Sequence, residues 1–374
     1  MSQRISLCLI AKNEAANLPA CLHSAAGLVD EIIVVDTGSR DATKEVAAGL
    51  GARVFDFPWV DSFAAARNES LRHATGDWLL WLDGDEHFDD ANRAKLQALK
   101  ASLNGAAAYV MVQRSPSESD AAGPIEVDQV RLFANPPLVR WSYRVHEQIL
   151  PGVRRAGQDI RFTDIAIAHT GYTDPALRRH KTERNLRLLY LEYQEQPHDP
   201  FTLFNLGWAL QETGRYDEAL SFLGQSLQRW HPGDSIVRKL FVLIAHGHRQ
   251  LGRLREALAV CQTGRARCPD DPELLDLEGH LREEVGDLDG AIACYRQLAQ
   301  LRPGHHFASR SADLGGPGVR HHLARALGKR GRLAEAELEW RATLADRPAF
   351  PPAWLELGKL YLAQGRWADL DDAG

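Results

Sequence analysis

No stretch of the chain stays apolar for the roughly 18 residues that a membrane span needs, so no spanning helix is expected. The N-terminus, MSQRISLCLIAKNEA, has neither the long apolar core nor the small-residue cleavage site of a secretory signal. Basic residues are not in excess. Forty-four Lys and Arg against 50 Asp and Glu give a net charge of −6, so the electrostatic footprint of a nucleic-acid binder is missing. Glycine-rich phosphate loops are missing as well. Without a Gly-x-Gly-x-x-Gly turn or a Walker loop, a dinucleotide-binding or P-loop enzyme is not expected. Cysteine is sparse: five residues, at 8, 21, 261, 268 and 294, with no Cys-x-x-Cys pair. That odd, scattered set predicts reduced, buried thiols and a cytoplasmic protein.

What is present fills 374 residues, 44% of them hydrophobic, which is enough for two or three domains. The first part is organised around WLLWLDGDE, Trp78 to Glu86. Five apolar residues in a row predict a strand covered on both faces. The run ends abruptly in Asp83, Gly84, Asp85 and Glu86, at the end of a strand, where open α/β sheets bind ligands. Two carboxylates one residue apart can share a hard divalent cation, Mg²⁺ or Mn²⁺, with a substrate diphosphate. A polar turn at a strand end is the alternative reading of the same residues.

The residues before this stretch alternate strand and helix. Strands are predicted over Ile5–Ile10, Ile32–Val35 and Ala52–Val60, with helices over Ala15–Ala25, from about Ala42, and over Ser62–Gly76. Each strand runs into polar residues: Asn13, Asp36, Asp56 and Asp83. Parallel strands would bring those ends to one edge of the sheet, as a nucleotide site requires. Beyond Glu86, a helix is expected over Asn92–Leu103 and strands over Ala106–Arg114, Val127–Asn135 and Ile165–Tyr172. A Ser/Gly/Pro-rich loop is expected over Ser115–Glu126.

The stretches LIAKNEA, VVDTGSRD and AAARNESLRHATGDWLLWLDGDE, in this order, resemble the GT-A domain of family 2 glycosyltransferases. The resemblance covers Arg4 to Glu86 and continues more weakly to about Tyr172. It implies an inverting, nucleotide-sugar-dependent glycosyltransferase of the hexosyltransferase type, with a UDP-sugar donor and Mn²⁺ or Mg²⁺. It implies that Ala11, Asn13 and Asp36 line a uridine-type pocket. Arg67 would contact the diphosphate, and Asp83 and Asp85 would hold the metal. A carboxylate accepting from a base N–H and an arginine offsetting phosphate charge suit those roles chemically. His169 is the candidate for a further metal ligand, by position. Inverting transfer also needs a group to take the acceptor's proton. Glu147 is the first candidate and Asp128 the second, with His146 able to orient the base or bind substrate.

From Pro200 onward the sequence repeats. Turn glycines recur at 214, 252, 286, 331 and 365, and a period near 34 residues with helix–turn–helix texture is the tetratricopeptide signature. Small residues at Gly207, Ala219, Ala257, Ala291 and Ala336 would let paired helices approach closely. Pro232, Pro269, Pro303 and Pro348 would end units. His305–Gly318 reads as an inserted loop, and the last unit stops at Gly374 inside its second helix. Cys261 and Cys268 are expected to serve packing.

The expected architecture is thus α/β plus all-α. A GT-A domain spans 1–185, a helical linker 186–199, and a tetratricopeptide solenoid of about five units 200–374. The solenoid's concave face would take a protein or peptide, as the acceptor or as a partner. The rival reading is an interaction scaffold whose front domain is inactive.

Overall fold

The computed structural model describes residues 3–116, 124–171, 175–230, 236–301 and 316–368, with residues 310, 311 and 314. The chain forms two compact units, one from Met1–Pro116 and Glu126–Pro197, the other built on His198–Gly374.

In the first unit, strands β1 (Ile5–Ala11), β2 (Glu31–Asp36), β3 (Arg53–Asp56) and β4 (Trp78–Trp81) are joined by helices α1 (Leu18–Ala25), α2 (Thr43–Gly49) and α3 (Phe63–His73). The chain continues through β5 (Glu86–His87), α4 (Asp90–Ser102), β6 (Ala107–Ser115), β7 (Ile125–Ala134), α5 (Leu150–Arg155), β8 (Asp159–His169) and α6 (Pro175–Glu195). These strands lie in the order β3-β2-β1-β4-β7-β6-β8-β5. The β1–β2, β2–β3 and β1–β4 pairs are parallel, whereas β7 runs antiparallel to β4. The α/β alternation expected up to Trp81 is therefore present, and the sheet becomes mixed beyond it.

The apolar run that opens the metal-type stretch is buried throughout, with Trp78, Leu79, Leu80, Trp81 and Leu82 all at most 6% exposed. Ile5, Leu7 and Leu9 of β1 meet Leu18 and Leu22 of α1 in the same core. This two-sided cover is why alternation is absent from these strands. Gly76 lets the chain enter β4, since a Cβ there would sit 2.8 Å from the Ser6 nitrogen and 2.9 Å from the Arg4 carbonyl.

Two of the expected strands differ most from expectation. β3 is only four residues long and stops before Pro58, which cannot donate to a ladder. β8 begins at Asp159, six residues earlier than Ile165, because its first half is largely exposed and held by backbone pairing with β6. Such a segment carries no hydrophobic pattern to read. The expected loop residues 117–123 and Tyr172 lie outside the described residues.

The second unit consists of helix pairs α7 (Pro200–Glu212) with α8 (Tyr216–Leu227), α9 (Ile236–Gln250) with α10 (Leu254–Arg267), and α11 (Pro272–Glu284) with α12 (Leu288–Gln300). Then follow α13 (Pro317–Lys329) with α14 (Leu333–Asp346), and α15 (Pro351–Gln364). The five turn glycines 214, 252, 286, 331 and 365 all take positive φ, from 67° to 86°. That left-handed conformation at a helix end favours glycine and fixes the repeat signature. At Gly207 a Cβ would lie 2.4 Å from Leu223 Cγ, so α7 and α8 can meet this closely only there without a side chain. Ala219, Ala257, Ala291 and Ala336 are fully buried. Cys261 is buried among Val237, Phe241 and Ala257, and Cys268 packs against the same cluster. Pro232, Pro303, residues 305–309 of the expected insertion, and the chain after Ala368 lie outside the described residues.

Candidate active site

Parallel register sets the site. Ala11 pairs with Asp36 and Asp36 with Asp56, so the carboxyl ends of β1, β2 and β3 come level. A cavity of about 660 Å³ opens beside these ends, lined by Ala11, Asn13, Arg67, Asp83, Asp85, His146, Glu147 and His169 among others. Every expected site residue except Asp36 and Asp128 thus faces one cavity.

At the far left of the site, the backbone turns sharply. Asn13 holds φ at 58°, its N–H donates to Ser39 Oγ at 2.9 Å, and its Oδ1 accepts from the Arg40 N–H at 2.8 Å. Asp36 Oδ1 accepts from the N–H groups of Gly38 and Ser39, both at 2.9 Å. Asp36 Oδ2 is buried and has no hydrogen-bond partner among the described residues. Buried carboxylate oxygens are seldom left so. Asp36 itself is 2% exposed and stands immediately behind Thr37, which lines the cavity. Asp56, also read as a strand-end acid, points to solvent and pairs with Lys44 at 3.1 Å.

The centre of the site is Arg67. Ser62 caps α3 by accepting from the Ala65 N–H, and the helix carries Arg67 inward. The guanidinium donates through Nη2 to Asp83 Oδ1 at 2.7 Å and through Nε to Glu147 Oε1 at 2.6 Å. It also lies 4.5 Å from the Trp81 ring centre and 4.9 Å from that of Trp141. Burial opposes ionisation of Asp83, but the Arg67 and Arg131 charges outweigh it and hold the carboxyl below its usual range.

Glu86 shapes the acidic turn without facing the cavity. It is fully buried, grips Arg131 at 2.5 and 2.7 Å, and its Oε2 accepts from the Asp83 N–H at 2.9 Å. Thr170 donates through both its N–H and its hydroxyl to the Asp85 carbonyl, at 3.0 and 2.9 Å. Antiparallel pairing of β5 with β8 sets Glu86 opposite His169. His169 Nε2 consequently lies 3.2 Å from Asp85 Oδ2, while its Nδ1 is 3.0 Å from Ser115 Oγ. Burial works against the charged imidazole, but the Asp85 hydrogen bond and the surrounding carboxylates push His169 upward overall.

The two candidate bases separate. Glu147 lines the cavity beside His146, whose proton affinity burial pulls down. Asp128 is 2% exposed on β7 and shares the strand face of Val130 and Leu132, outside the cavity lining. The expected Asp128 is thus buried in a sheet whose opposite face at this strand, with Arg131 and Phe133, is buried as well, and it does not line the cavity. Sequence reasoning missed Lys181, Arg184 and Asn185, which line the cavity from α6. The expected boundary at residue 185 falls inside that helix, which continues to Glu195. The basic run ALRRHKTER was the available signal, but helical periodicity alone does not say which face meets a site.

The first unit is a mixed α/β sheet with a strand-end carboxylate pair, and the second is an array of helix-pair repeats. The sequence model of glycosyl transferase family 2 matches residues 6–144, and tetratricopeptide repeat models match residues 202–231, 272–305 and 322–369. A TPR repeat-containing protein of Synechococcus elongatus is 31% identical over 311 residues, covering 80% of this chain and 76% of that one. The SPbeta prophage-derived glycosyltransferase SunS of Bacillus subtilis is 26% identical over 322 residues, covering 80% and 74%. An uncharacterized glycosyltransferase of Rickettsia felis is 34% identical over 102 residues, covering 27% and 36%. The chain carries a glycosyl transferase family 2 domain over residues 6–144 and tetratricopeptide repeats in its C-terminal half. Among the described residues, no helix is long and apolar enough to cross a membrane.

Proposed function

We propose that the protein is a metal-dependent inverting glycosyltransferase that moves a sugar from a UDP-type donor to an acceptor hydroxyl or thiol. The observation that carries this reading is the meeting of Asp83, Asp85 and His169 on one cavity with Arg67. Two carboxylates and an imidazole suit Mn²⁺ or Mg²⁺, the carboxylates above all. Ser115 holds the imidazole from behind, as groups behind a ligating histidine usually do. A divalent cation held by Asp83, Asp85 and His169 would offset charge on the departing diphosphate.

The chain's own residues supply the rest. A uracil-type base lies against Ala11, Asn13 and Thr37, and Asp36 behind Thr37, whose Oδ2 has no partner among the described residues, accepts from its N–H. Arg67 turns from the carboxylates toward the diphosphate, and Lys181 and Arg184 add positive charge at the same cavity. Glu147 takes the acceptor's proton and His146 positions the acceptor. The repeat array holds a peptide or protein acceptor, and the protein acts in the cytoplasm. Five free cysteines, four of them buried, are in keeping with a reducing compartment. An inactive front domain is not favoured, because a domain kept only as a scaffold has no need of so complete a polar set.

The test is release of sugar from a panel of nucleotide sugars by the purified full-length protein, with Mn²⁺ and with chelator. Metal-dependent hydrolysis of a UDP-sugar is expected. A donor panel that yields no turnover and no binding under either condition overturns the reading.

A further inference from the structure

The second unit carries a side-chain cluster that sugar transfer does not use. Asp276 and His280 stand on α11 at a spacing of four, which places them on one helix face. His322 reaches them from α13 of the next repeat pair. Asp276 Oδ1 lies 3.2 Å from His322 Nδ1, and Asp276 Oδ2 lies 3.6 Å from His280 Nε2. The two imidazole rings are 4.5 Å apart, centre to centre. One ligand atom from each of the three residues lies within 4.8 Å of the others.

We propose that Asp276, His280 and His322 bind a divalent transition-metal ion of the zinc type between adjacent repeats. Two imidazole nitrogens and one carboxylate oxygen form a donor set suited to such ions, and three protein ligands leave a coordination position open. Bonds of about 2.0–2.1 Å in tetrahedral geometry put ligand atoms about 3.3 Å apart. The two contacts made by Asp276 are already near that separation, so closure around an ion needs only side-chain adjustment.

The surroundings orient the ligands. His280 Nδ1 lies 3.1 Å from the Tyr295 hydroxyl, which donates to Glu283 Oε1 at 2.9 Å. The tyrosine oxygen is then left to accept from Nδ1–H, and Nε2 presents its lone pair toward Asp276. Arg325 also approaches His280 Nδ1, at 3.3 Å, but it is held by Glu283 at 3.0 Å and keeps that partner when Nδ1 carries the proton. Asp276 and His280 border a cavity of about 470 Å³ with His246, Arg249 and Glu273. The open coordination position has room there for water or for a donor side chain from a bound polypeptide.

The experiment uses the full-length protein with Asp83→Asn and Asp85→Asn as the parent, so that the carboxylate pair of the first unit does not compete. Zn²⁺ is titrated by calorimetry and Co²⁺ by visible absorption. One equivalent bound with a Kd of about 1 μM or tighter, and cobalt bands of a four- or five-coordinate site, are expected. His322→Gln and Asp276→Asn should each weaken zinc binding at least about tenfold, the lower end of what outer-shell changes alone cause. Zinc should also raise the melting temperature of the parent and not that of His322→Gln. Because His322 is 27% exposed on its side chain, its replacement leaves the helix core in place. A parent that takes up no stoichiometric zinc overturns the proposal, as do variants that bind it as tightly as the parent.

Discussion

Replacing Arg67 with methionine isolates the ionic role of the residue at the centre of the site. The substitution keeps an unbranched chain between Trp81 and Trp141 and removes the charge that joins Asp83 to Glu147. Arg67 is 7% exposed on its side chain and Glu147 13%, so that half of the network is nearly dry. Asp83 is 36% exposed, and water screens its half. Removing one partner from a buried pair costs about 3–5 kcal/mol. Screening at Asp83 brings the figure toward the lower end, and loss of the contacts with the two indole rings adds about 0.5–1 kcal/mol. We expect Arg67→Met to destabilise the first unit by about 3.5–4 kcal/mol. At about 2–4 °C per kcal/mol for a unit of this size, the melting temperature falls by roughly 7–16 °C. Adding millimolar Mn²⁺ should restore part of the loss, because a cation at Asp83 and Asp85 replaces the missing positive charge. The same metal should stabilise the native protein less. Thermal melts of both proteins with and without Mn²⁺ read all four values. A variant as stable as the native protein, or one that Mn²⁺ fails to stabilise, would refute this account of Arg67.

Glu147→Gln should lower transfer turnover by at least about 10²-fold, the low end for a positioned acid–base group, while donor affinity stays nearly unchanged. Asp128→Asn should retain turnover, because Asp128 faces the core; steady-state transfer with parallel donor binding separates the two, and the reverse ranking would reassign the base. In the repeat unit, burial opposes ionisation of Glu283, but hydrogen bonds from Arg325 and Lys329 hold its carboxyl down at about 2. That value lies below the ordinary 4.5, so Glu283 contributes stability that is present above about pH 4.5 and is lost as pH falls toward 2. Glu283→Gln should cost about 1–3 kcal/mol at pH 7, with the gap from the native protein closing between pH 4.5 and 2 in denaturant melts. A gap that is independent of pH would show that the ion pairs contribute nothing.

Some of this arrangement was legible because burial leaves a mark on sequence. The apolar run Trp78–Leu82, stopping at Asp83, announced both a covered strand and a polar strand end. The repeats were legible for a different reason: a left-handed turn favours glycine, so Gly214, Gly252, Gly286, Gly331 and Gly365 recur with the fold's own period. What could not be read was pairing at a distance. Glu86 looked like a third member of the acidic cluster, yet it is sealed against Arg131, 45 residues away, and supports the turn from behind. Likewise, the partner of His169 on its far side, Ser115, comes from a strand end that nothing in the sequence ties to it. Arg67 and Glu147 were each singled out, but not the bond between them. The burial of Asp128 was not legible, since Arg131 and Phe133 on the other face of its strand are buried as completely as Val130 and Leu132 beside it. Lys181 and Arg184 were hidden by the charged helix that carries them, whose sequence resembles a linker.

The central claim is that Asp83 and Asp85 bind a nucleotide diphosphate through a divalent metal, and calorimetry of UDP binding tests it most directly. The native protein, Asp83→Asn and Asp85→Asn are each titrated with UDP in Mn²⁺ and in chelator. The account predicts tight binding by the native protein in Mn²⁺ alone, and its loss in both variants while circular dichroism shows them folded. Metal-dependent UDP affinity that survives unchanged in both variants would contradict it.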